Sequence, residues 1–442
     1  MNKDFVSFPI TGIHRLKEKM LNWADQFNIC SFLDNHRYQA GHHTYECLAG
    51  IGALHTIAAG TGHALDRFAS FRRQHPGWLF GHISYDLAPH PSPDKPGAGA
   101  KEGLDFPDLF FFVPEVVLLL SDTELAIASY GSLSPQEVYE RIQAAVLPGP
   151  PASGPQPAAH SLRLPAMDIQ ARFSKEEYIS TVETLRGHIL RGDCYEINFC
   201  QEFYAEGVQI DALSVYHSLS EASPNPFGGY YKLTDQYLLC ASPERYLKKE
   251  GDTLFSQPIK GTSKRAPGDS ALDEQHRQEL YGSPKDRSEN VMVVDLVRND
   301  LSRICREGTV TVDELFGIYS FPQVHQMIST ISGQLQEGVD FAGIIRATFP
   351  MGSMTGAPKK RVMELIDRYE RTRRGLFSGA LGYMTPGGDF DFNVVIRSIL
   401  YNQASGYLSY LVGSGITFYS HAEQEYEECL LKAEAIKKVL GA

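Results

Sequence analysis

Several features that define other classes of protein are absent from this sequence. It has no run of 18 apolar residues, and the opening "MNKDFVSFPITG" has no apolar segment of signal-peptide length. The seven cysteines are scattered, without a CxxC pair or a Cys/His cluster at zinc spacing. The formal charge is −12, and no basic tract offsets it. These absences predict a cytoplasmic protein with free thiols that binds neither nucleic acid nor a membrane.

The composition is that of an ordinary globular protein, with 442 residues, 43% hydrophobic and 21% charged. Two segments rich in proline and glycine, 88–103 and 147–159, cannot form regular elements. The second segment separates an N-terminal portion, 1–146, from a C-terminal portion, 160–442. It is either a linker between two parts or a long loop that joins two halves of one domain.

Local patterns in the C-terminal portion predict helices and strands in mixed order. Ser174 and Glu177 have capping-box spacing before a helical apolar stripe, and residues 288–301 read as a buried helix capped by Ser288. Residues 378–401 read as a hairpin with a Pro-Gly-Gly turn, and residues 421–440 as a closing helix. Hairpin connections among strands favour an α+β fold with antiparallel sheets over a parallel, doubly wound fold.

Some charged residues lie where either a structural or a chemical role is possible. Glu289 follows the predicted helix start, where the helix dipole favours a carboxylate, but two carboxylates from separate helices would also suit Mg²⁺. Glu425, Glu428 and Lys432 share one face of the closing helix, and periodicity alone favours a simple Glu–Lys pair on an exposed helix. Arg397 lies within a predicted apolar strand and needs an anionic partner there.

Two glycine-containing segments allow a close approach of backbone to a ligand, although each could equally be a packing feature. Residues 349–361 combine small residues with Pro358 at a predicted helix start, a place where backbone N–H groups can hold an anion. Gly413 and Gly415 lie in a predicted strand. His325, as a lone histidine, is more often a structural hydrogen-bonding residue than a catalyst. Lys260 lies between an isoleucine and a glycine at a strand end, which is an unusual place for a lysine.

Nine short segments, taken together and in this order, resemble a known family, although no single segment would be specific enough. They are "ASPER" (241–245), "PIKGT" (258–262), "DRSENVMVVDLVRNDL" (286–301), "VHQMISTISG" (324–333), "PMGSMTGAPKKRVMELI" (350–366), "GALGYM" (379–384), "VVIRS" (394–398), "VGSGIT" (412–417) and "EQEYEECLLKAEAI" (423–436). Together they resemble the chorismate-utilising enzymes, which include anthranilate, aminodeoxychorismate, isochorismate and salicylate synthases. The resemblance is strong over about residues 170–440. It implies one large α+β unit, with two antiparallel sheets packed face to face and helices outside.

The resemblance implies a role for Lys260, because "PIKGT" is the form found in aminodeoxychorismate synthases. The lysine amine would attack C2 of chorismate as the 4-hydroxyl leaves. Ammonia would then attack C4 and expel the lysine, giving 4-amino-4-deoxychorismate. This chemistry requires an uncharged amine, so partial burial that lowers the lysine pKa would help. Glu244 would be the general acid that protonates the departing hydroxyl, a role favoured by a raised pKa.

The same resemblance implies the rest of the site. Glu289 and Glu428 would bind Mg²⁺, which binds the ring carboxylate, and Glu425 would hold metal-bound water. The enolpyruvyl carboxylate would be bound by Arg397, Tyr383 and the backbone near Gly413 and Gly415. Thr262, His325 and Lys432 would line the site of the ring. Lys432 is counted among the catalytic groups.

Three expectations concern differences from the family pattern. Glu196 stands where isochorismate synthases have a lysine that activates water and aminating enzymes usually have glutamine, so addition of water is disfavoured. No good match to the tryptophan-feedback segment of anthranilate synthases occurs, so feedback by tryptophan is not expected. No amidotransferase domain is evident, so ammonia would come from a glutaminase subunit. Two alternatives remain open, an anthranilate synthase and a catalytically inactive chorismate-binding protein.

Overall fold

The computed structural model describes residues 4–38, 43–88, 103–146, 167–322 and 324–441. Its α-helices are α1 Ile13–Ala24, α2 Ala64–Gln74, α3 Pro135–Ala144, α4 Lys175–Leu190, α5 Ala212–Ala222, α6 Ser270–Gly282, α7 Pro284–Ser302, α8 Phe341–Thr348, α9 Lys359–Tyr369, α10 Ala422–Lys432 and α11 Glu434–Leu440. Short 3₁₀ turns cover Tyr85–Leu87 and Gly352–Met354.

The strands, in chain order, are β1 Val6–Pro9, β2 Ile29–Asp34, β3 Cys47–Ile51, β4 His55–Ala59, β5 Leu79–Ile83, β6 Leu109–Val113, β7 Val116–Leu120, β8 Glu124–Ser129, β9 Gln170–Ala171, β10 Glu196–Ala205, β11 Phe227–Leu233, β12 Gln236–Ser242, β13 Arg245–Glu250, β14 Thr253–Gln257, β15 Ile259–Lys264, β16 Thr311–Ser320, β17 Val324–Gln334, β18 Gly356–Ala357, β19 Ala380–Met384, β20 Phe390–Val394, β21 Ser398–Asn402 and β22 Tyr407–Thr417.

These strands form two antiparallel sheets. The first sheet has the order β1-β8-β7-β3-β2-β11-β12-β21-β22-β10-β18, with β9 added to β10. The second has the order β15-β17-β14-β13-β20-β19-β5-β6-β4, with β16 added to β17. Each sheet contains one block of neighbouring strands from before the proline-rich segment and one block from after it, joined by the β2–β11 pair in the first sheet and the β19–β5 pair in the second. The α+β class and the antiparallel pairing predicted from the sequence are therefore confirmed.

The inner faces of the two sheets enclose an apolar core. Gly50 of the first sheet lies so close to the ring of Phe80 in the second that a Cβ at Gly50 would lie 2.4 Å from it. The buried His82 of β5 is hydrogen-bonded through Nδ1 to Tyr231 Oη of β11, 2.9 Å away. A second core lies between the other face of the first sheet and helices that include α1, α4, α5 and α10. The sheets thus pack face to face with helices outside, as predicted.

Helix ends follow capping chemistry, which confirms one predicted helix start and corrects another. Helix α4 begins after Ser174 with a complete Ser174–Glu177 capping box, which confirms that prediction. Helix α7 begins at Pro284 after Ser283, whose hydroxyl accepts a hydrogen bond from the Asp286 N–H, so the assignment of Ser288 as the cap is wrong. Proline is favoured in a first helical turn, and this earlier start places Glu289 in the second turn.

Two further elements differ from their predicted form. Only β19 and β20 form the expected hairpin, since the next strand, β21, belongs to the first sheet. The link between the sheets, 395–397, contains Arg397 with φ 51°, so this arginine lies outside any strand. The closing helix is two helices, α10 and α11, on either side of Ala433.

The remaining predictions concern the cysteines, membrane-spanning helices and the division into domains. All seven cysteines are free and buried. Within the described ranges, no helix is long and apolar enough to cross a membrane. The segment 147–159 and most of 88–103 lie outside the described residues, so the domain division stays a prediction.

A buried ion pair holds β10 against the segments that precede and follow α9. Arg374 donates to Glu370 through Nε and Nη2, and its Nη1 and Nη2 also donate to the carbonyls of Met354 and Asn198 at 2.6 and 2.8 Å. Glu370 accepts a hydrogen bond from the Cys200 N–H at 2.9 Å. Both side chains are almost fully buried. Removing one charge would leave the other unpaired in a medium where charges are costly.

Glu370→Gln is therefore expected to lower the free energy of unfolding by about 3 kcal/mol. The matched control is Glu183→Gln, which breaks the exposed Arg186–Glu183 pair and should cost less than about 1 kcal/mol. Urea unfolding followed by intrinsic fluorescence measures both variants. Equal unfolding midpoints for the two would contradict the structural role given to the buried pair.

Candidate active site

The site lies where one end of β10 and β22 in the first sheet meets β15 at the edge of the second. In the first sheet, Glu196 pairs with Thr417 and Asn198 pairs with Gly415. In the second, the pairing of β15 with β17 shifts register between Ile259 and Thr262. Gly261 adopts φ 93° in this irregularity, and a Cβ there would lie 2.9 Å from Asp286 of α7. Lys260 thus lies in a β-bulge, a feature that redirects side chains.

The central contact joins Lys260 to Glu196 across the two sheets. Lys260 Nζ donates a hydrogen bond to Glu196 Oε1 at 2.5 Å, and the two side chains are 10% and 2% exposed. A Cβ on Gly415 would lie 2.9 Å from both of these atoms. Gly415 is therefore required here for close packing, because any larger residue would collide with the pair. This is the chemical setting of the unusual lysine.

The protonation of Lys260 differs from the prediction. Burial lowers the pKa of Lys260, but the negative charges of Glu196 and Glu289 raise it more, so that its pKa lies above its ordinary value. The expectation of a lysine with a lowered pKa is therefore wrong for the protein alone. The lysine rests as an ammonium and must lose a proton before it can act as a nucleophile.

Glu244 lies on the connection between β12 and β13, where the chain crosses from the first sheet to the second. It is buried, and burial raises the pKa of Glu244 to about 7 despite a hydrogen bond from Ser353 and the charges of Lys260 and Arg397. A carboxyl group with this pKa is half protonated near neutral pH. It can therefore donate a proton, as a general acid requires.

Helices α7 and α10 bring three carboxylates to the same side of the site. Glu289 Oε1 and Glu425 Oε2 are buried without a hydrogen-bond partner in the described part of the chain. Lys285 Nζ lies 3.9 Å from Glu289 Oε1 and 3.4 Å from Glu425 Oε1, so a cation already bridges the two helices. Burial raises the pKa of Glu289 to about 7, with Glu196 adding to the effect. The Lys432 ammonium, 2.8 Å away, lowers the pKa of Glu428.

These carboxylates fit a hard divalent cation. Their oxygens are the ligand type that Mg²⁺ prefers, and two of them lack the donor that a buried carboxylate oxygen needs. Across the described ranges, no group of three His, Cys, Asp or Glu side chains forms a complete metal site. That is compatible with Mg²⁺, which binds through one or two carboxylates and takes its other ligands from water and substrate.

Arg397, Gly413 and Lys432 lie around the same pair of sheets. Burial lowers the pKa of Arg397, and the charge of Glu244 partly offsets this effect. In the described ranges the Arg397 guanidinium makes no hydrogen bond, which leaves its donors for an anion. Lys432 Nζ donates to the Gly413 carbonyl at 3.0 Å and pairs with Glu428.

Three residues predicted to belong to the site, Tyr383, Thr262 and His325, do not contribute side chains to the cluster around Lys260. Tyr383 packs against Tyr45 and Trp78 and lines a different cavity, so its assignment to the enolpyruvyl carboxylate is corrected. Its strand, β19, lies five positions from β15 in the sheet, roughly 24 Å at the usual strand spacing. The side chain of Thr262 is exposed, because the bulge interrupts the alternation of the strand.

His325 has both ring nitrogens occupied. Nδ1 is hydrogen-bonded to Ser320 Oγ at 2.8 Å, and Nε2 to Asp273 Oδ1 at 3.2 Å. The ring is 1% exposed. This is the structural role that a lone histidine more often has, and it leaves no free ring nitrogen for a substrate.

Two residues of the site were not predicted from the sequence, and the importance of a third was underestimated. Lys285 bridges Glu289 and Glu425, and its spacing of four residues before Glu289 would have revealed it once α7 was started at Pro284. Ser353, which bonds to Glu244, lies in the segment considered only as an anion-binding turn. Glu196 was treated as a departure from a pattern, whereas the structure makes it the direct partner of Lys260.

The chain is similar to several known proteins. The aminodeoxychorismate synthase of Streptomyces pristinaespiralis is 35% identical over 390 residues, which is 81% of this chain and 54% of that protein. Aminodeoxychorismate synthase component 1 of Bacillus subtilis is 32% identical over 373 residues, 82% of this chain and 77% of that protein. This chain thus spans only about half the length of the Streptomyces relative.

The fold is also that of a solved structure. The menaquinone-specific isochorismate synthase of Escherichia coli superimposes with a TM-score of 0.73 at 18% identity, over 99% of this chain and 94% of that structure. The family model for chorismate binding enzymes matches residues 33–438. The chain therefore belongs to the family of chorismate binding enzymes.

Proposed function

We propose that this protein converts chorismate and ammonia to 4-amino-4-deoxychorismate, the precursor of 4-aminobenzoate in folate synthesis. The observation that carries the proposal is the buried amine of Lys260, which lies between the two sheets. Glu244, the residue that can act as the general acid, is close enough to interact electrostatically with this amine. The relatives that are 35% and 32% identical carry the name aminodeoxychorismate synthase, which supports the same reaction.

In the first half of the reaction, Lys260 forms a bond to C2 of the ring while the bond from C4 to its hydroxyl oxygen breaks. Both ring double bonds shift as the electrons move, from C1=C2 and C5=C6 to C1=C6 and C4=C5. Glu244, in its acid form, donates a proton to the departing oxygen, which leaves as water. Before attack Lys260 must pass on its own proton, because the ammonium has no lone pair.

In the second half, the lone pair of ammonia forms a bond to C4 and the bond from C2 to Lys260 breaks. The electrons of that bond return to the lysine nitrogen, which regenerates the enzyme. A covalent intermediate of this kind replaces one difficult displacement by two easier ones. It also directs ammonia to C4, because C2 is occupied by the lysine.

Positive charges at two ends of the site would bind the two negatively charged carboxylates of chorismate. Mg²⁺ held by Glu289 and Glu428, with Glu425 bonding to a water ligand, would neutralise the ring carboxylate. Arg397 and the backbone near Gly413 and Gly415 would bind the enolpyruvyl carboxylate, since the guanidinium keeps its donors free. Because these groups are fixed before substrate arrives, they need little reorganisation during the reaction.

Ammonia would come from glutamine through a separate glutaminase subunit. The name "component 1" of the Bacillus relative supports a partner of this kind. We place the complex in the cytoplasm, where the seven free thiols would stay reduced.

Product analysis tests the proposal directly. The purified protein is incubated with chorismate, Mg²⁺ and ammonium, and the products are separated and identified by mass spectrometry and by conversion to 4-aminobenzoate with an added lyase. The expected product is 4-amino-4-deoxychorismate. Anthranilate as the product would instead assign the protein to 2-amination, and bound but unchanged chorismate would indicate a binding protein.

Lys260→Ala is expected to lose most 4-aminated product, at least about 100-fold in rate, because the covalent route is removed. It opens C2 to ammonia, so a small yield of anthranilate is expected to appear. The matched control is Lys264→Ala, which removes an exposed lysine from the same strand. Thermal melting of both variants separates a loss of chemistry from a loss of folding. Unchanged 4-amination in a folded Lys260→Ala protein would exclude the lysine adduct.

Glu289→Gln is expected to weaken the binding of Mg²⁺ by at least about tenfold. The fold should tolerate this change, because burial already raises the pKa of Glu289 to about 7 and so favours a neutral side chain. Isothermal titration with Mg²⁺ measures affinity, and turnover at varied Mg²⁺ measures its effect on rate. Asp295→Asn, exposed on the same helix, is the control. An affinity equal to that of the control would remove Glu289 from the metal site.

A further inference from the structure

Glu196 has one carboxylate oxygen that the fold and the proposed chemistry leave unused. Its Oε1 accepts the hydrogen bond from Lys260 at 2.5 Å. Its Oε2 is buried and has no hydrogen-bond partner in the part of the chain that the structure describes. Only 2% of the residue is exposed. A buried acceptor of this kind costs free energy unless a donor reaches it, so its presence needs an explanation.

The charges around Lys260 do not cancel. The buried carboxylates of Glu196, Glu244 and Glu289 all interact electrostatically with the Lys260 amine. Glu289 is assigned to the magnesium site, and Glu244 carries a proton when it acts as the acid. Glu196 then balances Lys260 only while that lysine is an ammonium. Lys260 must lose its proton before its nitrogen can bond to carbon, and from that loss until the new bond forms the Glu196 carboxylate needs another positively charged donor.

The space beside Glu196 favours a small donor. Gly415 closes one side, since a Cβ there would lie 2.9 Å from Glu196 Oε1 and from Lys260 Nζ. The strand of Glu196 is paired on both sides, with Thr417 of β22 and with Ala357 of β18. A bulky cationic side chain or organic amine would have to displace this backbone. Ammonium carries four N–H donors and no acceptor, and it is no larger than the lysine head group already in contact with Oε1.

We propose that Glu196 Oε2 is the binding point for ammonium, the second substrate, beside the lysine that holds the ring. The role of this site in amination rests on the proposed function, whereas the binding of a small cation at Glu196 does not. A charged donor–acceptor pair in a buried setting is stronger than a neutral one. The carboxylate therefore concentrates ammonium next to Lys260 and the ring, and it accepts the proton that ammonium must lose before the lone pair of ammonia can attack C4. A glutamine of the same shape would keep an oxygen there but would lose the charge.

Kinetics of Glu196→Gln test the site. The expected result is a KM for ammonium raised roughly ten- to hundredfold, with the KM for chorismate changed by less than about twofold. A merely structural role of Glu196 would change kcat or both KM values together. The matched control is Glu206→Gln, which removes the same charge from an exposed position just beyond the other end of β10 and should leave both KM values as in the wild type.

A second measurement does not depend on turnover. Crystals of the wild type, Glu196→Gln and Glu206→Gln are soaked in rubidium chloride, because Rb⁺ is close to ammonium in size and is located by its anomalous scattering. A peak within contact distance of Glu196 Oε2 is expected in the wild type and in Glu206→Gln, and not in Glu196→Gln. Peaks confined to Glu289 and Glu428, or an unchanged KM for ammonium in Glu196→Gln, would overturn the inference. If the protein makes no aminated product, the proposed function fails, and the rubidium peak still decides the site.

Discussion

The hydrogen-bonded ion pair between Lys260 and Glu196 connects the two sheets at the site, and the other features of the site depend on it. Each partner belongs to a different sheet, and they meet at 2.5 Å because β15 bulges at Lys260 and because Gly415 has no side chain. The buried Glu370–Arg374 pair holds β10 from the other side through the carbonyl of Asn198 and the N–H of Cys200. A displacement of β10 would therefore change the position of Glu196 and the charge state of the lysine together.

Negative charge in excess is the second feature of the site. Burial raises the pKa of both Glu244 and Glu289 to about 7, and unpaired buried oxygens remain on Glu196, Glu289 and Glu425. For stability alone such a cluster is unfavourable, since buried carboxylates without donors cost free energy. The cost is offset if cations and a protonated acid are part of the working state. In the working state that we propose, a divalent cation would lie on the α7–α10 side, ammonium on the Glu196 side and a proton on Glu244.

The sequence predicted the elements better than their relation in space. Capping residues and strand composition located α4 and β22, because these depend on local chemistry. The start of α7 was misplaced because two serines, Ser283 and Ser288, can both cap it, and only Pro284 favours the first. The location of Tyr383 depends on strand order, which no local pattern contains. The contact of Lys260 with Glu196 joins residues 64 positions apart, so only the fold could reveal it.

The most direct test of the account is to find the covalent intermediate. The purified protein is mixed with chorismate and Mg²⁺ without ammonium, quenched with acid and analysed as an intact protein, with peptide mapping of any modified residue. We expect a mass increase equal to chorismate less one water, located on Lys260 and lost when ammonium is added before the quench. An unmodified Lys260 under conditions in which the same preparation forms 4-aminated product on adding ammonium would contradict the central claim that this lysine is the nucleophile.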